Sequence, residues 1–240
     1  MKWKLTKEGY MNVTESKKIG DKQLLQNSEK ACRNVADLYN SGNNCDKAVF
    51  LALQDISLLP KEIWDFTDLY SDKPDDTEQF LCKVLAAGAV AIYLDILTRR
   101  FRELGIVNSK RPEPIERVNE MMNAILAETA SGKHEKLTVF DPFEQDTYLK
   151  KEMVTEQMRG EYRQRAARLF DDFHRVFNCR DCVDILGFDP FSYELYDEEI
   201  QEQIEGGEWM EKCIDCMKHI IKAFVDENGS SLINNQRQGQ

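Results

Sequence analysis

Basic charge is in short supply in this sequence: 32 Lys and Arg stand against 43 Asp and Glu, a formal charge of −11. Phosphate recognition needs a concentrated basic surface, so a nucleic-acid partner is not expected. The nearest approaches to one, Arg99, Arg100 and Arg102 and the series Arg159, Arg163, Arg165 and Arg168, have the spacing of solvated sides of long helices. Long hydrophobic runs are also lacking. The richest, 84–97, is shorter than a membrane span and contains Asp95, which reads as a buried core helix and implies no membrane. The early lysines of MKWKLTKEGYMNV have no apolar stretch behind them, so a secretory signal is not expected and the anticipated location is cytoplasmic. Only three histidines occur. A di-iron bundle would need Glu-x-x-His on two helices, and the nearest counterpart is Asp171-x-x-His174. No phosphate loop, dinucleotide fingerprint or nucleophile elbow is found, which disfavours nucleotide-dependent and serine-hydrolase chemistry.

Alternation at strand period is scarce, whereas apolar residues three and four apart recur along most of the 240 residues. This pattern implies an all-α, multi-helix bundle in a single domain. After a polar leader, 1–27, a first helix is expected from Ser28, with Ala31, Val35 and Leu38 inward, stopping at Ser41-Gly42. Asn44 should cap a second helix, 45–57, and Pro60 should open a short third around Ile63, Trp64 and Phe66. The central apolar helix is placed at about 77–104, closed by Gly105. Residues 106–164 read as an insertion within the domain, carrying a helix with Ile115, Val118, Met122, Ile125 and Leu126, then a loop or short strand at 137–140. A helical pattern follows over 144–176, then short helices over 179–186 and 194–204, a last helix over 208–225 and a frayed tail, 228–240.

Seven cysteines, an odd number, in a chain without an export signal suggest reduced thiols, metal ligands or redox groups rather than a structural disulfide set. Cys179-Arg-Asp-Cys182 and Cys213-Ile-Asp-Cys216 are C-x-x-C units. On a helix, residues three apart share a face, so Cys179, Cys182, Cys213 and Cys216 could converge as a tetrahedral site for zinc or an iron–sulfur centre. The gap between the pairs exceeds that of a zinc ribbon, and no glycine-rich knuckle surrounds either. A plainer reading makes several of them small core residues. A third is thiol–disulfide chemistry. Cys45 follows Asn44 at an expected helix start and Cys179 follows Asn178 in the same relation, where unpaired amides and the helix dipole favour thiolate. Burial would reverse that preference.

The segment Leu38-Tyr39-Asn40-Ser41-Gly42-Asn43-Asn44-Cys45-Asp46-Lys47-Ala48-Val49 resembles the opening of the C-GCAxxG-C-C family, small helical proteins credited with redox activity. Downstream, Cys182-Val183-Asp184-Ile185-Leu186-Gly187-Phe188-Asp189 resembles the family's later cysteine element. The family's last cysteine fits Cys216, followed by Ile220 and Ala223, better than Cys213. At the middle element, Leu81-Cys82-Lys83-Val84-Leu85-Ala86-Ala87-Gly88 keeps a cysteine and a glycine but not the family's first two glycines or the adjacent alanine. The resemblance spans 28–105 and 165–226. It implies a catalytic set of Cys45, Cys82, Cys182 and Cys216, with Cys179 and Cys213 peculiar to this chain, Cys32 a bystander, and a redox partner protein. The competing expectation, raised by the altered middle element, is a non-catalytic helical interaction or scaffold protein. His219, on the helix of Cys216, could serve as ligand or proton partner but reads more simply as a boundary residue. The acidic stretch 189–211, with Phe188, Phe191, Tyr193, Tyr196 and Trp209, reads as a solvated helix anchored by aromatics.

Overall fold

The structure is a computed structural model that describes residues 3–6, 9–69, 81–106, 113–130, 140–188 and 206–238, with backbone alone described through 25, at 129–130 and from 227 onward. It is an all-α, multi-helix fold. A short antiparallel hairpin, β1 (Trp3–Thr6) and β2 (Gly9–Asn12), leads directly into α1 (Val13–Asn40). Helix therefore begins well inside the stretch expected to be a polar leader. It continues until Gly42 turns the chain at φ +94°, with Asn43 Nδ2 donating to Leu38 O at 2.9 Å. Asn44 then caps α2 (Cys45–Asp55) in extended conformation. Ala31, Val35, Ala48, Val49, Ala52 and Leu53 are buried, on the faces their spacing indicated.

The expected third helix does not form. The amides of Ile63 and Trp64 both donate to Pro60 O, making one turn, after which Glu113 N donates to Ile63 O at 2.5 Å and draws Trp64 into a bridge with Glu113. The central helix, α3 (Lys83–Glu103), starts later than its sequence pattern suggested because Cys82 is its N-cap; positions 77–80 lie outside the described residues. Nearly every side of α3 is covered, by α2, by α4 (Ile115–Ala130), by α6 (Glu156–Phe177) and by α8 (Glu208–Gln238). Gly88 permits this: a Cβ there would lie 2.8 Å from Leu169 Cδ2 on α6 and 2.9 Å from Ile220 Cγ2 on α8.

The single helix expected over 144–176 is broken into α5 (Pro142–Gln145), a 3-10 turn (Lys151–Met153) and α6. Side-chain caps explain the breaks. Asp141 accepts from Phe143 N at α5, and Thr155 accepts from Met158 N at α6. The segment read as an insertion is fastened to the core by a buried polar cluster. Tyr93 of α3 donates its hydroxyl to Asp146, whose carboxylate also lies 3.4 Å from Arg117 Nε of α4, while Arg117 Nη2 pairs with Glu113 at 3.2 Å. Three of the arginines noted above are similarly tied up: Arg99 pairs with Glu161 at 2.5 Å, Arg165 with Asp95 at 2.6 Å and Arg159 with Asp141.

α7 (Cys182–Leu186) is shorter than expected and is followed by α8, which runs on to Gln238 through the stretch expected to fray. The expected strand positions 137–139 and the acidic helix at 194–204 lie outside the described residues. Among the described residues no helix is long and apolar enough to cross a membrane.

Candidate thiol site

The cysteines approach one another from four elements. Cys45 is the first residue of α2, Cys82 precedes the first residue of α3, Cys182 opens α7, and Cys213 and Cys216 sit one turn apart on α8. The junction between α3 and α7 is fixed through the backbone, where Cys82 N donates to Arg180 O at 2.7 Å. Asp181 closes the start of α7 by accepting from Asp184 N, also at 2.7 Å.

Cys82 stands in the middle. The sulfurs of Cys182 and Cys216 both lie beside that of Cys82. All three are buried, with 4%, 8% and 1% exposure for Cys82, Cys182 and Cys216, which keeps solvent and solutes away from this chain of sulfurs. The half-buried Cys45 and Cys213 lie beside Cys182 and near each other, and Tyr39, in the last turn of α1, lies beside Cys213. The four cysteines implied by the family resemblance thus lie in one neighbourhood, joined by Cys213 and Tyr39.

Burial overrides the helix-start effect. Desolvation, reinforced by the Asp46 carboxylate and the sulfurs of Cys182 and Cys213, pushes Cys45 well above the ordinary thiol value, although the Lys83 ammonium pulls the other way. A helix terminus supplies about 0.3–1 kcal/mol, less than one pKa unit, whereas full burial can shift a group by about 3–5 units. The adjacent Cys182 thiol pulls Cys82 down, but the Cys216 thiol, burial and the other sulfurs outweigh it and leave Cys82 well above its usual value. Cys182 is raised by the adjacent Cys82 thiol and by burial, against which act the backbone amide and ammonium of Lys83. Cys213 is pushed up to about 11 by burial and by Cys182, with the Tyr39 hydroxyl opposing.

Cys179 departs from its expected place. Asn178 is the left-handed C-cap of α6, at φ 57°, a conformation Asn tolerates better than most residues, so it ends one helix instead of starting the next. Cys179 lies in the link between α6 and α7 and turns its thiol to Phe177 O at 3.1 Å, with burial, Asp181 and Asp184 raising its pKa. The first C-x-x-C therefore does not lie on one helical face. Among the described residues, no group of three or more His, Cys, Asp or Glu is placed to hold a metal ion. Cys179 turns to a backbone carbonyl, and the four cysteines expected to hold zinc or an iron–sulfur centre, Cys179, Cys182, Cys213 and Cys216, do not make up such a group.

Cys32 lies apart on α1, donating to Lys218 O at 3.7 Å. His219 is wedged against Phe173 and Phe177, with ring centroids 6.0 and 5.5 Å away, and its Nε2 is buried without a hydrogen-bond partner. It belongs to the packing of α8 on α6.

Sequence reasoning passed over Tyr39 and Lys83 and placed Cys213 among metal ligands. Tyr39 and Lys83 stand inside two of the three quoted family-like segments, but only the turn at Gly42 and the late start of α3 bring them to the sulfurs. Comparison with family models, with curated proteins and with solved structures gives no match, which leaves the convergence of the cysteines as the ground for a functional reading.

Proposed function

We propose that this protein carries out thiol–disulfide exchange in the manner suggested by its resemblance to the C-GCAxxG-C-C family, with Cys45, Cys82, Cys182 and Cys216 as the working set and a disulfide-bearing partner as substrate. The observation that carries the proposal is Cys82 lying beside both Cys182 and Cys216, with all three buried. In the exchange, a thiolate attacks one sulfur of the incoming disulfide and releases a thiol. A second cysteine then attacks the mixed disulfide and releases the other. Two electrons pass to the substrate, and an internal disulfide remains.

The test is equilibration of the reduced full-length protein in a glutathione redox series, followed by peptide mapping. A disulfide joining Cys82 to Cys182 or Cys216, reversible with the potential, supports the proposal. Seven persistent thiols, or glutathione caps on Cys179 and Cys45 with no internal bond, would sink it. The second reading, a non-catalytic interaction or scaffold protein, is favoured by one observation: the thiols of Cys45, Cys82 and Cys182 are all held well above their ordinary values, which keeps them protonated near neutral pH.

A further inference from the structure

The exchange proposed above needs an outside disulfide to meet Cys82, Cys182 or Cys216, yet all three are closed to solvent. Some element has to move, and the three cysteines sit on very unequal ones. Cys216 lies on α8 among the buried Met217, Ile220 and Ile221, and Cys82 caps α3, which is buried almost throughout. Cys182 belongs to α7, five residues long, in which Val183 and Asp184 are exposed, as is Gly187 just beyond it. Local opening is easiest where least is buried, and of the three elements that is α7.

The ties of this segment to its neighbours fit that role. Lys212 Nζ reaches Leu186 O at 3.4 Å, and Arg180 Nη2 lies 3.6 Å from Asp171, whose side chain is 80% exposed. Arg180 Nε is enclosed without a hydrogen-bond partner, an unmet donor that water satisfies once the segment lifts. The firm tie is Cys82 N to Arg180 O at 2.7 Å. A segment that lifts away takes with it both the carbonyl bound to Cys82 N and the Cys182 sulfur beside Cys82, so the two cysteines are uncovered together.

We infer that residues 179–187, with α7 at their centre, form a strap that opens to admit a disulfide to Cys82 and closes to return Cys182 as the resolving thiol. The inference rests on the thiol–disulfide reading. In the open form Cys82 stays at the start of α3, a 21-residue helix whose positive end favours a thiolate there once burial is relieved. α7 is too short to do as much for Cys182. Cys82 Sγ, as thiolate, attacks one sulfur of R–S–S–R. The S–S bond breaks, R–S⁻ leaves and takes a proton, and Cys82 carries the mixed disulfide. The strap closes, and Cys182 Sγ gives up its proton and attacks Cys82 Sγ. The second R–S⁻ leaves and takes a proton, and Cys82 and Cys182 remain joined. Each substrate molecule takes two electrons and two protons, and the protein gains one disulfide.

The first measurement is iodoacetamide labelling of the reduced full-length protein across sub-denaturing urea concentrations, resolved by mass mapping. Labelling of Cys82 and Cys182 should stay nearly flat, because a short strap exposes little surface, while that of Cys216 climbs with urea as global unfolding does. Gly187→Ala isolates the strap. Gly187 ends α7 at φ +86° with nothing within 4 Å of an added Cβ, so the change strains the strap's backbone and touches no neighbour. It should quicken labelling of both sulfurs, and formation of the internal disulfide from bis(2-hydroxyethyl) disulfide, by one common factor of about fivefold or more. In Cys182→Ser, which lacks the resolving thiol, the mixed disulfide with this probe should accumulate on Cys82. Three results would each overturn the inference and leave the exchange reading standing: Cys82 labelling that climbs with urea as steeply as that of Cys216, a Gly187→Ala variant that labels faster but forms its disulfide no faster, or no adduct on Cys82 in Cys182→Ser. Failure of the wild-type protein to form any internal disulfide removes both.

Discussion

The amide of Cys82 donates to the carbonyl of Arg180 at 2.7 Å, so the residue that caps α3 is bonded to the turn that opens α7. This bond brings Cys82 and Cys182, far apart in sequence, to one point, and Asp181 holds the second of them by capping α7. Replacing Asp181 with Ala should cost about 0.5–2 kcal/mol in local stability, whereas Asn, which can still accept from Asp184 N, should cost little. The readout is alkylation of Cys182 in the folded protein. Asp181→Ala should quicken it by about fivefold for each kcal/mol lost, while Cys216, anchored on α8, keeps its rate. Equal acceleration at both sulfurs would show that the whole fold had loosened instead.

Gly88 governs how closely α3 approaches α6 and α8. An added Cβ would come within 3.0 Å of side-chain atoms on both helices, Leu169 and Ile220, which are themselves buried. Gly88→Ala gains helix propensity of about 1 kcal/mol, but overpacking at so tight a contact costs about 1–3 kcal/mol. The variant should therefore be less stable in urea denaturation. Trimming the obstacle with Leu169→Ala in the Gly88→Ala background should give a smaller loss than the sum of the two single changes.

How much of this was legible in the sequence depended on whether a feature was periodic or positional. The inward faces of α1 and α2 followed from spacing three and four, as did the apolar wrap of α3, because burial of a helix face is written into its repeat. Local competition decided the helix starts differently. Cys82, not Thr77, precedes α3, and Thr155, not Glu144, sets the start of α6, since a side chain able to accept from a nearby amide, or a tertiary bond such as Cys82 N to Arg180 O, outranks an apolar pattern that continues past it. Asn178 misled for the same reason: an Asn before a cysteine fits a helix start and a left-handed helix end equally well, and only the geometry of α6 chooses. The four family-like cysteines were readable as a set. Their relation to Tyr39 and Lys83 was not, because it arises where separate helix ends meet.

Asp146 presents a buried charge with its counter-charge. Its side chain is fully enclosed, one oxygen accepting from Tyr148 N at 2.9 Å and the other meeting Tyr93 and Arg117. Arg117 is itself buried and lies over the rings of Phe101 and Tyr148, with Nη1 lacking a hydrogen-bond partner. Asp146→Ala would leave the guanidinium enclosed beside Glu113 alone, and a buried pair broken on one side typically costs about 3–5 kcal/mol. Replacing both, Asp146→Ala with Arg117→Met, should recover a large share of that loss. A double-mutant cycle in denaturant measures the coupling. Additivity would mean that α4 is held to α3 by its apolar face without help from the ion pair.

His219 makes stability sensitive to acid. Burial lowers its pKa below the ordinary 6.5, aided by Lys222 and Arg175 and opposed by Asp172. Its ring stands edge-on to Phe173 and Phe177, with no acceptor for a proton on Nε2. With the folded value below the unfolded one, the unfolded chain binds more protons in the interval between them, so stability rises with pH across that interval and falls as pH drops below about 6.5. Paired carboxylates also weaken the fold in acid, but they do so lower, near their own unfolded values of about 4. His219→Phe, which keeps an aromatic ring against Phe173 and Phe177 and cannot be protonated, should flatten the melting-temperature profile between about pH 6.5 and 5 while leaving its decline below pH 4 intact. If the variant keeps the full slope above pH 5, another group carries the acid sensitivity. If it loses stability equally at every pH, the imidazole contributes through shape alone.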